Sequence, residues 1–220
     1  MPVRAELFRI VLRHGIEVEN ALIPTLRFLD AYPSAVADAA SPTESFGEED
    51  LRRANRGGAR ISAAEIAAVL ERKAEIERWL REISPNASLA RAERSIPWSA
   101  LTGLFEGFSG IRGIGLSNVT KTLHPKRPAL IPMLDSVVQA YLEGDDPGGL
   151  ESFAERATAL VRSYKGDLDH NRGSLQGLQR ELAGRGYQLT EVRILDIVIW
   201  SVFADRARSR RLSFALSTIP

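Results

Sequence analysis

Apolar residues recur at helical spacing along almost the whole chain, and this pattern constrains the fold more strongly than any other feature. The clearest example runs from Ser62 to Ile83, where Ser62 and Glu65 have the spacing of a helix capping box. Strict alternation of apolar and polar residues, which is typical of half-buried strands, is hard to find. The sequence therefore predicts a mainly α protein.

The same spacing predicts further helices before and after this one. They are Val3–Arg13, Glu19–Ala31 with a bend at Pro24, Ser99–Phe108, Leu116–Leu123, Leu134–Leu142, Leu150–Tyr164, Ser174–Ala183 and Glu191–Arg206. The last of these is apolar on nearly all sides, which indicates a buried helix. The polar segment from Ala40 to Arg60 mixes Pro and Gly, so we expect a loop with at most one short helix there.

Composition excludes several classes of site. The chain has no cysteine, so disulfides, thiolate metal sites, iron–sulfur clusters and a cysteine nucleophile are excluded. No pair of its histidines has metal-ligand spacing, and we expect no cofactor and no metal. We also expect a cytoplasmic protein without a membrane partner, because no apolar run approaches the roughly 18 residues of a membrane helix and the N-terminus lacks signal-peptide features.

The net charge of +1 does not by itself indicate a nucleic-acid partner, but one basic segment does. Between Gly107 and Leu134 there is no Asp or Glu, and Ile111-Arg112-Gly113-Ile114-Gly115 precedes a predicted amphipathic helix within this segment. Two glycines around an apolar residue are typical of a helix-hairpin-helix motif, whose second helix offers backbone N–H groups to a phosphate. We expect the DNA backbone to be bound by Arg112, Gly113, Ile114, Gly115, Ser117, Lys121, Lys126 and Arg127.

Other interpretations of this segment are a solvated basic loop, which the charges alone would favour, and a dinucleotide-binding loop. The second is disfavoured because Asn118 stands where a third glycine is needed.

Asp135 follows the apolar stretch Ala129–Leu134 and stands where a new helix begins. An Asp at that place is a natural helix N-cap, and in isolation the residue needs no other role. Its spacing from the two glycines gives it a second interpretation.

Taken together, the hairpin and Asp135 resemble the helix-hairpin-helix superfamily of base-excision DNA glycosylases. Gly113, Gly115, Pro132 and Asp135 match that family's pattern, within the segment 111–138. The resemblance implies two helical lobes with a cleft between them and the helix-hairpin-helix motif at the cleft. Within a single globular unit, 1–220, lobe one spans approximately 40–123, and lobe two spans approximately 133–220 together with the N-terminal helices in 1–32.

The resemblance also implies an activity. Double-stranded DNA is bound mainly through its phosphate backbone, the target base is flipped out of the stack, and Asp135 is the catalytic carboxylate. Ser117 stands where bifunctional members have a lysine, so we expect a monofunctional hydrolase, acting as a monomer on a damaged or modified base in DNA repair or phage defence. Lys121 is better explained as a phosphate contact than as a displaced nucleophile. The alternative is a non-catalytic helix-hairpin-helix DNA-binding protein.

A few further residues have two interpretations each. Asp196 lies inside the apolar C-terminal helix, and we expect it to form a structural ion pair with Arg193 rather than to act in catalysis. Trp79, Trp98 and Trp200 are more typical of a core than of a base-stacking site. The basic segment Arg56–Arg60 is either a surface loop or a DNA contact.

Overall fold

Our computed structural model describes residues 8–33, 44–142 and 152–217. These ranges contain ten α-helices and one short β-hairpin. Side chains are described as far as residue 204. The elements in chain order are β1 (Ile10–Leu12), β2 (Ile16–Val18), α1 (Leu22–Ala31), α2 (Glu48–Arg56), α3 (Ala63–Glu71), α4 (Lys73–Glu82), α5 (Trp98–Glu106), α6 (Leu116–Leu123), α7 (Ser136–Leu142), α8 (Phe153–His170), α9 (Arg172–Gly184) and α10 (Glu191–Ser217). The prediction of a mainly α protein is confirmed. None of the helices in these ranges is long and apolar enough to cross a membrane.

The β-hairpin is a correction to the helix predicted over Val3–Arg13, whose residues 3–7 lie outside the described part. Strands β1 and β2 are antiparallel, with Ile10 opposite Val18. Three residues connect the strands, and two of them, His14 and Gly15, have φ values of 59° and 67°, in the left-handed region. The signal for this turn was Gly15, which helical spacing does not register.

Two other predicted helices also differ in detail. Helix α1 begins at Leu22, so Pro24 lies in its first turn, where a missing backbone N–H costs nothing and no bend results. The predicted helix from Ser62 to Ile83 is divided at Arg72, whose ψ of 5° is not helical, into α3 and α4. The capping box that begins α3 is present as predicted, with reciprocal hydrogen bonds between Ser62 and Glu65.

Helix α10 is the centre of the core. Its residues from Ile194 to Ile199 are all buried, which confirms the prediction of a buried helix. It packs against α1, α7, α8 and α9. On the other side of the molecule α2 packs against α6, and α5 lies between α4 and α8. This arrangement places α1 and α10 opposite the pair α2 and α6.

Candidate active site and nucleic-acid surface

A pocket of about 630 Å³ is lined by residues of α1 and α10, by residues of α2 and α6, and by the chain that leads into α7. Its volume falls within the range of about 300–1,000 Å³ that is typical of small-molecule sites. Asp135 and Lys121, two of the predicted site residues, line this pocket together.

Asp135 lies in the pocket wall as the N-cap of α7. Its Oδ1 accepts hydrogen bonds from the backbone N–H groups of Val137 and Val138, both at 3.0 Å. Its Oδ2 accepts no hydrogen bond from any residue that the structure describes. The cap therefore fixes one carboxylate oxygen and leaves the other for a ligand or a water molecule.

Asp196 is a second carboxyl group in the same pocket, only 2% exposed. Its Oδ2 accepts a hydrogen bond from the backbone N–H of Met133 at 3.0 Å, and its Oδ1 has no hydrogen-bond partner among the described residues. Burial raises the pKa of Asp196 to about 6, against the opposing influence of the Arg193 and His124 charges, the Met133 N–H and the Tyr164 hydroxyl. The pocket therefore contains a carboxyl group that titrates near neutral pH.

The predicted ion pair between Asp196 and Arg193 is present only as a longer-range attraction. The Arg193 charge favours the Asp196 anion, but its Nη1 donates to Met133 Sδ at 3.3 Å and its guanidinium lies over the Phe28 ring. Arg193 thereby lines the pocket as well.

Three aromatic rings form an apolar wall of the pocket. Phe28, Tyr32 and Trp200 are in mutual contact, with centroid distances of 5.0, 5.2 and 5.5 Å. Tyr32 is 39% exposed. Of the tryptophans, only Trp200 lines this pocket, whereas Trp79 and Trp98 pack against the core elsewhere. Such a wall offers π-faces on which a planar ring can stack.

The opposite wall is basic. The last turn of α2 contributes Arg53 and Arg56, and Gly57 and Gly58 follow them along the same wall. Lys121 on α6 lies next to this turn, with its Nζ 4.0 Å from the position of a Cβ at Gly58. Arg56 also forms an exposed ion pair with Glu49 at 2.6 Å. The sequence left open whether the segment Arg56–Arg60 is a surface loop or a DNA contact. In the structure this segment adjoins the predicted site.

The turn between α5 and α6 exposes backbone donors. Gly115 is the N-cap of α6, and the N–H groups of Gly115, Leu116 and Ser117 donate no hydrogen bond within the described residues. The Ile114 N–H is not available in this way, because it donates to the Ile111 carbonyl at 3.2 Å and the Ile114 side chain is buried. Arg112 is exposed beside them. Backbone N–H groups without a partner at the start of a helix can bind an anion.

The two glycines of this turn serve different purposes. Gly113 has a φ of 88°, and a Cβ there would lie 1.8 Å from Oε1 of Glu65. Gly115 has an ordinary φ of −105°, and a Cβ would meet nothing within 4 Å. Of the two glycines only Gly113 has a positive φ, and the group that approaches its backbone is a carboxylate of the same chain.

Lys126 and Arg127 do not belong to the exposed surface, which corrects the prediction that they contact DNA. Lys126 is 2% exposed, pairs with Asp50 at 2.8 Å and donates to the Ser45 carbonyl at 2.6 Å. Arg127 is fully buried and donates to main-chain carbonyl groups, including that of Ile83 at 2.9 Å from Nε. Both charges hold the scaffold together, and neither can reach a phosphate from these positions.

Within residues 8–33, 44–142 and 152–204, no group of three or more His, Asp or Glu side chains is arranged to hold a metal ion. The described charged groups that line the pocket are the carboxylates of Asp135 and Asp196 and the cations Arg53, Arg56, Lys121 and Arg193.

A model of one protein family, described as a family of unknown function (DUF6308), matches residues 23–202, which is most of the chain. The chain belongs to the DUF6308 family. Every residue that lines the pocket falls within the matched range, so the site is part of the region that defines the family. No curated protein and no solved structure matches the chain significantly.

Proposed function

We propose that the protein is a monofunctional DNA glycosylase that hydrolyses the N-glycosidic bond of a flipped, damaged or modified base. The observation that carries the proposal is the placement of Asp135. One of its carboxylate oxygens is fixed by two backbone N–H groups, and the residue lines an open pocket beside Lys121. A non-catalytic DNA-binding protein would have no need for an open pocket at this carboxylate.

The pocket has the features that a flipped base requires. The aromatic wall of Phe28, Tyr32 and Trp200 offers stacking for a planar ring, and the volume of about 630 Å³ accommodates a nucleotide unit. The basic wall, with Lys121 and the last turn of α2, would neutralise phosphates near the pocket. The free N–H groups at the start of α6 would form the helix-hairpin-helix contact to the DNA backbone.

The proposed chemistry follows from the two oxygens of Asp135. As the bond between C1′ and the base nitrogen breaks, positive charge develops on the sugar, and the anionic carboxylate stabilises that charge. A water molecule held by Oδ2 then forms the new bond to C1′ and loses a proton to the carboxylate, which passes it to solvent. The bonding electron pair leaves with the base, which takes up a proton, and an abasic site remains.

The test is a panel of DNA substrates followed by alkali, which cleaves the strand at abasic sites. The panel contains duplexes with single damaged bases, alkylated plasmid DNA and phage genomic DNA with modified bases. We expect strand cleavage with at least one class, and a fall in rate of about 100-fold or more for Asp135→Asn. Asn also caps helices well, so this variant should keep its fold and bind DNA.

Asp30→Asn provides the matched control, because it makes the same chemical change on the exposed face of α1. It should excise at the wild-type rate. Full activity of Asp135→Asn would overturn the assignment of Asp135. Salt-sensitive DNA binding without cleavage of any substrate would instead support the non-catalytic alternative.

A further inference from the structure

Asp196 lines the pocket and carries an unusual group, namely a buried carboxyl oxygen that has no hydrogen-bond partner among the described residues. This atom is Oδ1, since Oδ2 is occupied by the Met133 N–H. The nearby Tyr164 hydroxyl lowers the pKa of Asp196, but it is not a hydrogen-bond partner of Oδ1, because it donates its hydrogen to the Val192 carbonyl at 2.7 Å. Burying an acceptor without a donor costs free energy, so Asp196 is better explained if a ligand supplies the donor.

The groups next to Asp196 indicate which kind of ligand would supply this donor. Arg193 lines the pocket one helical turn before Asp196 and presents donors only, whereas the ionised Asp196 presents acceptors only. Since Asp196 is 2% exposed, a group that projects from a ring can reach it more easily than an atom within the ring. The edge of a planar ligand that complements Asp196 and Arg193 therefore has a projecting N–H donor next to an acceptor.

From this geometry we propose that Asp196, with Arg193 beside it, selects a base that carries an exocyclic amino group next to a ring nitrogen, as bases of the adenine and cytosine type do. In hypoxanthine and uracil the order is reversed, with a projecting carbonyl next to a ring N–H. A projecting carbonyl would face the Asp196 anion with no hydrogen between them. This inference rests on the proposed function, because it assumes that a base enters the pocket.

The hydrogen bond to Met133 makes Asp196→Asn an informative variant. The asparagine oxygen must take the place of Oδ2 to accept the Met133 N–H, so the amide NH₂ takes the place of Oδ1. The substitution thus keeps size and shape but turns an acceptor into a donor. Because Arg193 still presents donors, the amino base then mismatches the new amide NH₂ and the keto base mismatches Arg193, so the preference for the amino member should disappear.

The experiment compares nucleosides that differ only in this edge, namely deoxyadenosine with deoxyinosine and deoxycytidine with deoxyuridine. Their dissociation constants are measured by NMR titration at pH 7.5, where the Asp196 carboxyl, with a pKa of about 6, is ionised. We expect wild-type protein and the control Asp30→Asn to favour the amino member of each pair by about tenfold, and Asp196→Asn to bind the two members within about twofold of one another.

If Asp196→Asn does not fold, Asp196→Ser replaces it, and the two members of each pair should then bind within about twofold of one another. Equal binding by the wild type, a keto preference, an unchanged order in the variant, or no binding of any nucleoside would each overturn the inference. Nucleoside binding involves no bond cleavage, so failure of the proposed glycosylase activity leaves this test intact. Conversely, excision of keto bases at the full rate would overturn the inference and preserve the proposed function.

Discussion

Asp135 and Asp196 share one pocket but have different surroundings, which suit them to different tasks. Asp135 is partly exposed, and its Oδ1 accepts hydrogen bonds from two backbone N–H groups. Asp196 is buried on α10, and burial raises the pKa of its carboxyl group to about 6. Two carboxylates whose environments differ in this way are typical of sites in which one group reacts and the other recognises.

The raised pKa of Asp196 predicts a pH-dependent loss of stability. Between pH 4 and about 6 the folded protein retains a proton that the unfolded chain releases, so the free energy of unfolding falls as pH rises. Asp196→Asn lacks this titration. Relative to the variant, the wild type should therefore lose about 2–3 kcal/mol between pH 4 and pH 7.

Urea unfolding at pH 4, 5, 6 and 7 measures this difference. Asp30→Asn should follow the wild-type curve at every pH, because its carboxyl group lies at the surface. Parallel curves for the wild type and Asp196→Asn would contradict a buried, titrating Asp196.

At the scale of elements, the turn between α5 and α6 allows fold and binding to be separated. A side chain at Gly115 meets open space, so Gly115→Val should fold as the wild type does, while covering the N–H groups at the start of α6. DNA affinity should fall by about tenfold or more, because hydrogen bonds from these groups to a phosphate would be blocked. Fluorescence anisotropy with a labelled duplex measures the affinity.

Gly113→Ala is the matched comparison. It combines a positive φ with an overlap against Glu65, so we expect a loss of about 1–3 kcal/mol in the free energy of unfolding. If Gly115→Val binds DNA as tightly as the wild type, the hairpin does not bind the backbone.

Helix α3 places a negative charge next to the proposed DNA contact. The Glu65 carboxylate caps α3 and touches the Gly113 backbone, close to where a phosphate would lie. Glu65→Gln keeps a capping-box residue but removes the charge. DNA affinity should rise by about two- to fivefold at low salt, and the gain should shrink as salt increases.

A control for this change is Glu71→Gln at the exposed C-terminal end of the same helix, which should leave the affinity unchanged. An unchanged or reduced affinity of Glu65→Gln would indicate that DNA approaches from elsewhere.

Local patterns in the sequence predicted most of the described helices but not the β-hairpin. Helix α6 has the bounds that spacing predicted, and Asp135 caps α7 as its position indicated. The β-hairpin was missed because its strands are only three residues long and its turn depends on His14 adopting a positive φ.

The pocket was beyond sequence reasoning for a different reason. Phe28 and Trp200 are far apart in the chain, and only the packing of α1 against α10 brings their rings together. In the same way, the carbonyl group that Arg127 binds belongs to Ile83, 44 residues earlier, so charge alone made Arg127 look like a surface residue.

At the scale of the whole molecule, the basic residues fall into a scaffold set and a surface set. Lys126→Met removes one partner of a buried ion pair with Asp50, and we expect a loss of roughly 3–5 kcal/mol in the free energy of unfolding. Lys121→Met changes a more exposed residue of the pocket wall and should alter stability by less than about 0.5 kcal/mol.

The effects of the two substitutions on DNA binding should be the reverse of their effects on stability. Lys121→Met should reduce the slope of log affinity against log salt by about one unit, whereas folded Lys126→Met should leave this slope unchanged. A reduced slope for Lys126→Met, measured by anisotropy between 50 and 200 mM salt at a temperature where it is folded, would show that Lys126 reaches DNA after all.

The segment between α6 and α7 is tied down at several points along its length. His124 Nδ1 lies 2.6 Å from the Ile131 carbonyl, and the Leu134 N–H donates to Thr120 Oγ1 on α6 at 3.0 Å. Together with the buried Arg127, these bonds fix the distance between the start of α6 and Asp135. If the hairpin binds one phosphate, this fixed distance determines how many nucleotides away the attacked sugar must lie. The position of the protein along the strand is then set before any base enters the pocket.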